Sequence, residues 1–354
     1  MIIFILPLFS AGGAERVTLN LLSELHFNGT PVGIVVFNRI GKLLSMVPGG
    51  VPIYDLEANT LKRSIIPLIR IIHKLKPKVV FSTFGYINVA LLSVRWALPR
   101  RTSIWAREAN LPSISLQNNP YSRLMVFLYG LLYKNADKVI CTSKIMLDEF
   151  ILDFMVPVDL LEILPNPVDV KKICSSMLPV RRFDKGGVCY IAAGRLVFQK
   201  GFDRLLYWFS KLDNKNSTLV ILGDGELKGD LNDKVELLNL QKKVKFVGFY
   251  DNPWPWYAGA DVFLLASHWE GMPNSVLESL VCGTPVIATE ESGGINEISE
   301  NGSVVVVSGE REFIDAMNKA SIKDKNIKIQ SLLPEVYVKE NVVSIFRSWL
   351  DEIK

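Results

Sequence analysis

The chain has 354 residues, of which 49% are hydrophobic and 21% charged, and a net charge of +4. That length is too great for one comfortable core and fits two α/β domains of roughly 150–180 residues each. The longest uninterrupted apolar runs, such as 124–133, reach about half of the roughly 20 residues that a membrane-crossing helix needs, which excludes a spanning segment.

Residues 2–6 (Ile-Ile-Phe-Ile-Leu) have no basic stretch before them and no small-residue cleavage site after them, so they read as a first core strand rather than a signal peptide. A helix is expected over 14–28 and strands over 31–37 and 52–56. A helix over 65–75 leads to a strand over 78–82, and a helix over 88–97 to a strand over 102–105. A helix over 121–134 leads to a strand over 138–142, and a last strand covers 161–164. This alternation predicts a parallel, doubly wound sheet. Pro165-Asn166-Pro167-Val168-Asp169 breaks the pattern, and residues 178–187, with a Pro, an Arg pair and a Gly pair, form the expected linker. A second series follows: strands over 188–193, 217–222, 244–249, 262–266, 285–289 and 304–307, with helices after Gly201 and over 229–240. The expected division is a first domain over 1–180, a second over 181–335 and a terminal helix over 336–354. Val342, Val343, Ile345, Phe346 and Leu350 give that helix an apolar face, and its mixed charges favour packing over a basic membrane-surface role.

Charge is unevenly spread. Residues 1–150 hold 17 Lys and Arg against 8 Asp and Glu, a net of +9, while residues 151–354 hold 23 against 28, a net of −5. A basic first half suits an anionic partner such as a phosphate or an anionic membrane face, or is a solvated basic surface. No nucleic-acid-binding motif accompanies the charge, so nucleic acid is not an expected partner. The four cysteines show no CxxC pairing, and Cys141 and Cys189 sit in or beside apolar runs, as buried thiols in a reducing cytoplasm would. With only His26, His73 and His268 present, no metal site is expected.

Residues 270–278 (Glu-Gly-Met-Pro-Asn-Ser-Val-Leu-Glu) carry the most chemistry. Glu270 follows a strand, Pro273 marks a helix start, Glu278 falls about one turn in, and Gly283 is a stop signal. Asn274 and Ser275 place backbone N–H groups at the helix N-terminus. Carboxylates accept hydrogen bonds from sugar hydroxyls, and N–H groups with the helix dipole bind phosphate, so the set suits a nucleotide-sugar. An ordinary αβ turn with exposed acids is the plainer alternative. Gly12 and Gly13 follow the first strand and open the first helix, where the backbone can approach an anion. Arg195 and Lys200 stand on the loop after the first strand of the second half, where ligands bind in open α/β sheets, and two cations there can hold a diphosphate. Gly223-Asp224-Gly225-Glu226-Leu227-Lys228-Gly229 misses the dinucleotide fingerprint GxGxxG by one position.

These strings, in this order, resemble the family 4 glycosyltransferases. The resemblance rests on Gly12–Glu15, on Gly194-Arg195-Leu196 with Gln199-Lys200-Gly201-Phe202-Asp203, on Gly223–Leu227 and on the Glu-x7-Glu pair Glu270 and Glu278. It is strong over 188–300 and thinner in the first half. It implies the GT-B fold, an α/β architecture of two Rossmann-like doubly wound domains facing across a cleft, with the terminal helix packed back on the first. It further implies a retaining transferase that needs no metal or other cofactor. In that reading Arg195 and Lys200 hold the diphosphate of a UDP-sugar, Glu270 its sugar and Glu278 its ribose, while Gly12 and Gly13 face the donor. Gly225 and Phe249 then border the nucleobase, and the acceptor is a lipid-linked glycan at the inner face of the cell membrane. Many family members carry a histidine near the end of the fourth strand, but residues 81–85 here read Phe-Ser-Thr-Phe-Gly. Arg107 and Glu108 resemble a Glu-Arg pair of polysaccharide-building members in swapped order, and either line the acceptor side or form a structural ion pair. The rival readings are a nucleotide-sugar epimerase of the same fold, a non-catalytic sugar-nucleotide-binding scaffold and, more distantly, a dehydrogenase.

Overall fold

The computed structural model describes residues 1–10, 12–117, 121–178, 186–214, 216–323 and 329–353. Two compact units divide the chain: Met1–Pro167 with Lys339–Lys354, and Val168–Val338. Of the linker expected over 178–187, residues 179–185 lie outside the described residues.

The first unit is built on a parallel sheet of β1 (Ile2–Leu6), β2 (Val32–Val36), β3 (Ile53–Asp55), β4 (Val79–Ser82), β5 (Ser103–Arg107), β6 (Lys138–Cys141) and β7 (Leu161–Ile163), in the order β3-β2-β1-β4-β5-β6-β7. Successive side chains of a strand point to opposite faces, and a sheet covered on both sides needs apolar residues at every position. Ile3, Ile5, Val80, Ile104 and Val139 accordingly enter one core layer, while Ile2, Phe4, Phe81, Trp105 and Ile140 enter the other. The C-terminal helix Lys339–Glu352 closes that second layer. Its Phe346 ring lies 4.9 Å from Trp105, and Trp349 stands 5.9 Å from the same indole. Full burial of such side chains is worth about 1.5–3 kcal/mol each.

The second unit repeats the plan with β8 (Cys189–Ala193), β9 (Thr218–Leu222), β10 (Val244–Gly248), β11 (Val262–Leu265), β12 (Val286–Thr289) and β13 (Val304–Val307), all parallel and ordered β10-β9-β8-β11-β12-β13. The first unit ends at Pro167 rather than at 180, and the second at Val338 rather than 335. The reason is local: Val168 forms a parallel bridge with Val338 and donates its N–H to the Tyr337 carbonyl at 2.9 Å, so both ends of the second unit are tied together there.

Candidate active site

In an open, doubly wound sheet the crevice for ligands opens beyond the carboxyl ends of the strands where strand order reverses. In the second unit that point lies between β8 and β11. The loop after β8 supplies Lys200 and the loop after β11 supplies Glu270. Their side chains meet, with Lys200 Nζ 2.5 Å from Glu270 Oε1. The Ser267 hydroxyl donates to the same oxygen at 2.8 Å, and Glu270 is only 5% exposed. Two glycines allow the loops to approach. Gly201 has a φ of +60° and would place a Cβ 1.9 Å from the Ala266 carbonyl oxygen, and Gly293 has a φ of +69° and would place one 2.1 Å from that of Glu270. Gly201 after β8 and Gly293 after β12 thus let both segments close on the loop that carries Glu270, and a side chain at either position would push its segment away.

Arg195, on the same loop as Lys200, is exposed and makes no ion pair among the described residues. Next to the pair, the Phe198 and His268 rings stack at 4.5 Å, and the His268 backbone N–H donates to the Gln199 carbonyl at 2.8 Å. Burial and the nearby Arg204 charge hold the His268 imidazole below its usual range, against the opposing effect of Asp203 and Glu291.

Asn274 and Ser275 are the first two residues of the helix Asn274–Val281. Pro273, read from the sequence as a first-turn residue, is instead the extended N-cap, where a fixed φ also suits the chain. Glu278 lies inside that helix and accepts a hydrogen bond from Trp254 Nε1 at 3.0 Å. Gly225 belongs to the loop after β9, which packs on the loop after β8: a Cβ there would lie 2.5 Å from the Leu196 carbonyl oxygen. Gly223 and Gly225 thus let this loop lie against the loop after β8, whereas a Cβ at Gly229 would meet open space. Phe249 directly follows β10 and is half exposed.

In the first unit Gly12 is the N-cap of the helix Gly13–Phe27, and Gly13 is its first residue. The buried Glu15 carboxylate folds back over Gly12, where a Cβ would meet Glu15 Oε2 at 2.2 Å, and accepts a hydrogen bond from the Ser10 hydroxyl. Arg107 and Glu108 are 2% and 4% exposed and form no ion pair with each other. Arg107 donates to Thr83 Oγ1 at 2.8 Å and to Asn166 Oδ1 at 2.6 Å. Glu108 accepts from Asn88 Nδ2 at 2.8 Å and from the Tyr133 hydroxyl. Burial lifts its carboxyl to about 7, and burial lowers the Arg107 guanidinium to about 10. The two side chains do not meet in a direct ion pair but bond to different buried partners, and Asn88 Nδ2 links them by donating both to the Arg107 carbonyl and to Glu108 Oε1. Gly85 lies against the Tyr129 hydroxyl, which a Cβ there would meet at 1.8 Å.

The sequence reading missed Arg204, Ser267 and Trp254. Arg204 and Ser267 each sit within a few residues of Lys200 or Glu270, and that proximity was the available signal. Nothing in the sequence alone points from Trp254 to Glu278. Among the described residues no cluster of His, Cys, Asp and Glu could hold a metal ion, and no helix is long and apolar enough to cross a membrane.

Residues 11–172 match the family model Glycosyltransferase Family 4, and residues 179–329 match Glycosyl transferases group 1. The chain belongs to the family 4 glycosyltransferases. This glycosyltransferase is 32% identical over 279 residues to an uncharacterized glycosyltransferase of Methanocaldococcus jannaschii, a match that covers 75% of this chain and 66% of the relative. It is 29% identical over 343 residues to the N-acetylgalactosamine-N,N'-diacetylbacillosaminyl-diphospho-undecaprenol 4-alpha-N-acetylgalactosaminyltransferase of Campylobacter jejuni, covering 92% of this chain and 91% of the relative. Its fold matches the GT-B type: a crystal structure of Anabaena HepE in complex with UDP and glucose aligns with a TM-score of 0.78 at 17% identity, over 99% of both chains.

Proposed function

We propose that this glycosyltransferase moves a sugar from a UDP-sugar, a UDP-N-acetylhexosamine or UDP-hexose, to a hydroxyl of a lipid-linked glycan in surface-polysaccharide or lipopolysaccharide assembly. The observation that carries the proposal is the Lys200–Glu270 pair at the β8/β11 switch point, with exposed Arg195 on the same loop. Lys200 and Arg195 hold the diphosphate and stabilise the charge that develops as UDP leaves, the step where preorganised cations act most strongly. Glu270 holds hydroxyls of the donor sugar, Glu278 the ribose, and the start of the helix Asn274–Val281 faces the phosphates.

The reaction retains configuration. The bond from the anomeric carbon to the diphosphate breaks, the acceptor oxygen bonds to the same face, and its proton passes to the departing phosphate. UDP-N-acetylhexosamines carry an α-linked sugar, and the Campylobacter relative is named for an α-linkage and a diphospho-undecaprenol substrate. Glu270 is not assigned as a nucleophile, because Oε1 is taken up by Lys200 and Ser267. No metal is assigned a role, since cations of the chain face the diphosphate.

The acceptor is met at the cytoplasmic membrane face. The helix Ser122–Leu132 presents Leu124, Phe127 and Leu131 on one exposed side, spaced as one helical face. Exposed Arg100, Arg101 and Arg123 belong to the same unit. An apolar surface with basic residues binds anionic lipid peripherally.

The test is thermal stabilisation by UDP-, GDP- and ADP-sugars, with and without a chelator. A UDP-sugar at about 100 times its dissociation constant adds roughly 2.7 kcal/mol. Stabilisation by GDP- or ADP-sugars alone, or its loss with chelator, contradicts the proposal.

A further inference from the structure

We propose that Arg204 is a positioning residue that sets Glu270 against Lys200. This inference rests on the reading of that pair as the donor site. Arg204 stands in the first turn of the helix Phe202–Ser210, just beyond Lys200 and Gly201. Its guanidinium reaches across to the loop after β11: Nε donates to the Ala266 carbonyl at 2.8 Å, and Nη2 donates to the Ser267 carbonyl at 2.7 Å. These carbonyls lie beyond the last residue of β11 in buried surroundings, so they need donors from outside the sheet. The planar guanidinium presents two N–H donors in fixed geometry to two consecutive carbonyls, whereas a lysine ammonium is a compact charge on a flexible stem that holds them with less directional control.

The hold passes directly to the carboxylate. The residue whose carbonyl Arg204 grips, Ser267, also donates its hydroxyl to Glu270 Oε1. Thr289 Oγ1 donates to the same Ser267 carbonyl at 3.1 Å and lies 3.3 Å from Arg204 Nη2, which braces the loop from β12. Arg204 itself is kept in place by Trp208, whose ring centroid lies 5.1 Å from its Cζ, and by Glu291 Oε1 at 3.4 Å from Nη1. Lys200 and Arg204 are therefore two neighbouring cations with different tasks. Lys200 touches the carboxylate; Arg204 fixes the backbone that carries it.

The experiment has two parts. Crystal structures of Arg204→Met and Arg204→Lys read the geometry with no ligand required. The inference predicts that Glu270 moves out of ion-pair distance of Lys200 in Arg204→Met and less so in Arg204→Lys; an unchanged pair in both variants overturns it. Binding is then measured for UDP and for whichever of UDP-N-acetylgalactosamine, UDP-N-acetylglucosamine, UDP-glucose and UDP-galactose stabilises the wild type most. Arg204→Met should weaken UDP-sugar binding by about tenfold and UDP binding by less than about twofold, and should add less than about twofold on top of Glu270→Ala, as residues acting in one chain do. Additive losses would show a merely structural role. If Glu270→Ala itself leaves UDP-sugar binding unchanged, the donor-site reading fails, while the two crystal structures still decide whether Arg204 positions the pair.

Discussion

Lys200 and Glu270 lie 70 positions apart in sequence, yet their ammonium and carboxylate groups meet at 2.5 Å where the order of the second sheet reverses. The pair is largely shielded, with side-chain exposures of 17% and 7%, whereas Arg195 on the same loop is open to solvent. Two cations assigned to one diphosphate therefore differ in what the fold asks of them.

That difference is measurable. Arg195→Ala and Lys200→Ala should each slow turnover by at least about 100-fold, comparable to losing one oxyanion-stabilising donor. Arg195→Ala should leave thermal stability unchanged. Lys200→Ala leaves a buried carboxylate without its counter-charge and should cost about 1–3 kcal/mol, below the 3–5 kcal/mol of a fully buried pair. Denaturation curves and steady-state rates check both, and near-wild-type turnover in both variants rules out the diphosphate clamp.

The Trp254 indole N–H donates to the Glu278 carboxylate. Replacing Trp254 with Phe keeps the aromatic packing and removes the indole N–H that reaches Glu278 Oε2. If Glu278 holds the ribose, Trp254→Phe should weaken UDP and UDP-sugar binding to the same degree, by about tenfold or more for one hydrogen bond to a charged group. A loss confined to the sugar nucleotide would move Glu278 away from the ribose.

The sheets were legible because parallel, doubly covered strands are short apolar runs between turn residues, and each strand from β1 to β13 was read within a few residues of its place. Short helices were harder. The helices Lys144–Leu152 and Val170–Ser176 were missed, although Ser143 and Asp169 cap them by accepting hydrogen bonds from Met146 and Lys172 backbone N–H groups. Those caps were readable signals that the weak apolar periodicity obscured. Motif spacing singles out Arg195, Lys200, Glu270 and Glu278, but spacing carries no information on partners. That Lys200 meets Glu270, or that Arg107 bonds Thr83 and Asn166 instead of Glu108, depends on strand order and on which buried acceptors lack donors.

Glu108 predicts a pH dependence of stability. Burial raises its carboxyl from 4.5 to about 7, against hydrogen bonds from Tyr133, Asn88 and Tyr129 and the Arg107 charge, which act the other way. A folded-state value above the unfolded one means that the native state holds the proton more tightly. The contribution is fully present below about 4.5 and is lost as pH rises through about 7. Relative to Glu108→Gln, the wild type should therefore lose a few kcal/mol, on the order of 1.4 per pKa unit, between pH 5 and pH 8. Urea denaturation across that range checks it, and parallel profiles for the two proteins contradict it.

The membrane proposal predicts co-sedimentation with anionic vesicles that falls as salt rises, because the contacts are screened. Changing Arg100 and Arg101 to Glu should weaken it by about 1 kcal/mol or more per charge. Changing Phe127 and Leu131 to Ser should weaken it at high salt as well, since burial of apolar area is not screened. Equal binding to neutral and anionic vesicles, or none to either, would leave the basic half as an ordinary solvated surface.

The most direct test of the donor site is calorimetric titration of wild type, Glu270→Ala and Glu278→Ala with UDP and with the UDP-sugar that stabilises the wild type most. Glu270 is assigned to the sugar, so Glu270→Ala should bind UDP within about twofold of wild type and the UDP-sugar at least about tenfold more weakly, the effect of losing hydrogen bonds to a charged group. Glu278→Ala should weaken both ligands alike. Identical profiles for the two variants, or an unchanged UDP-sugar affinity in Glu270→Ala, would contradict a donor site built on the Lys200–Glu270 pair.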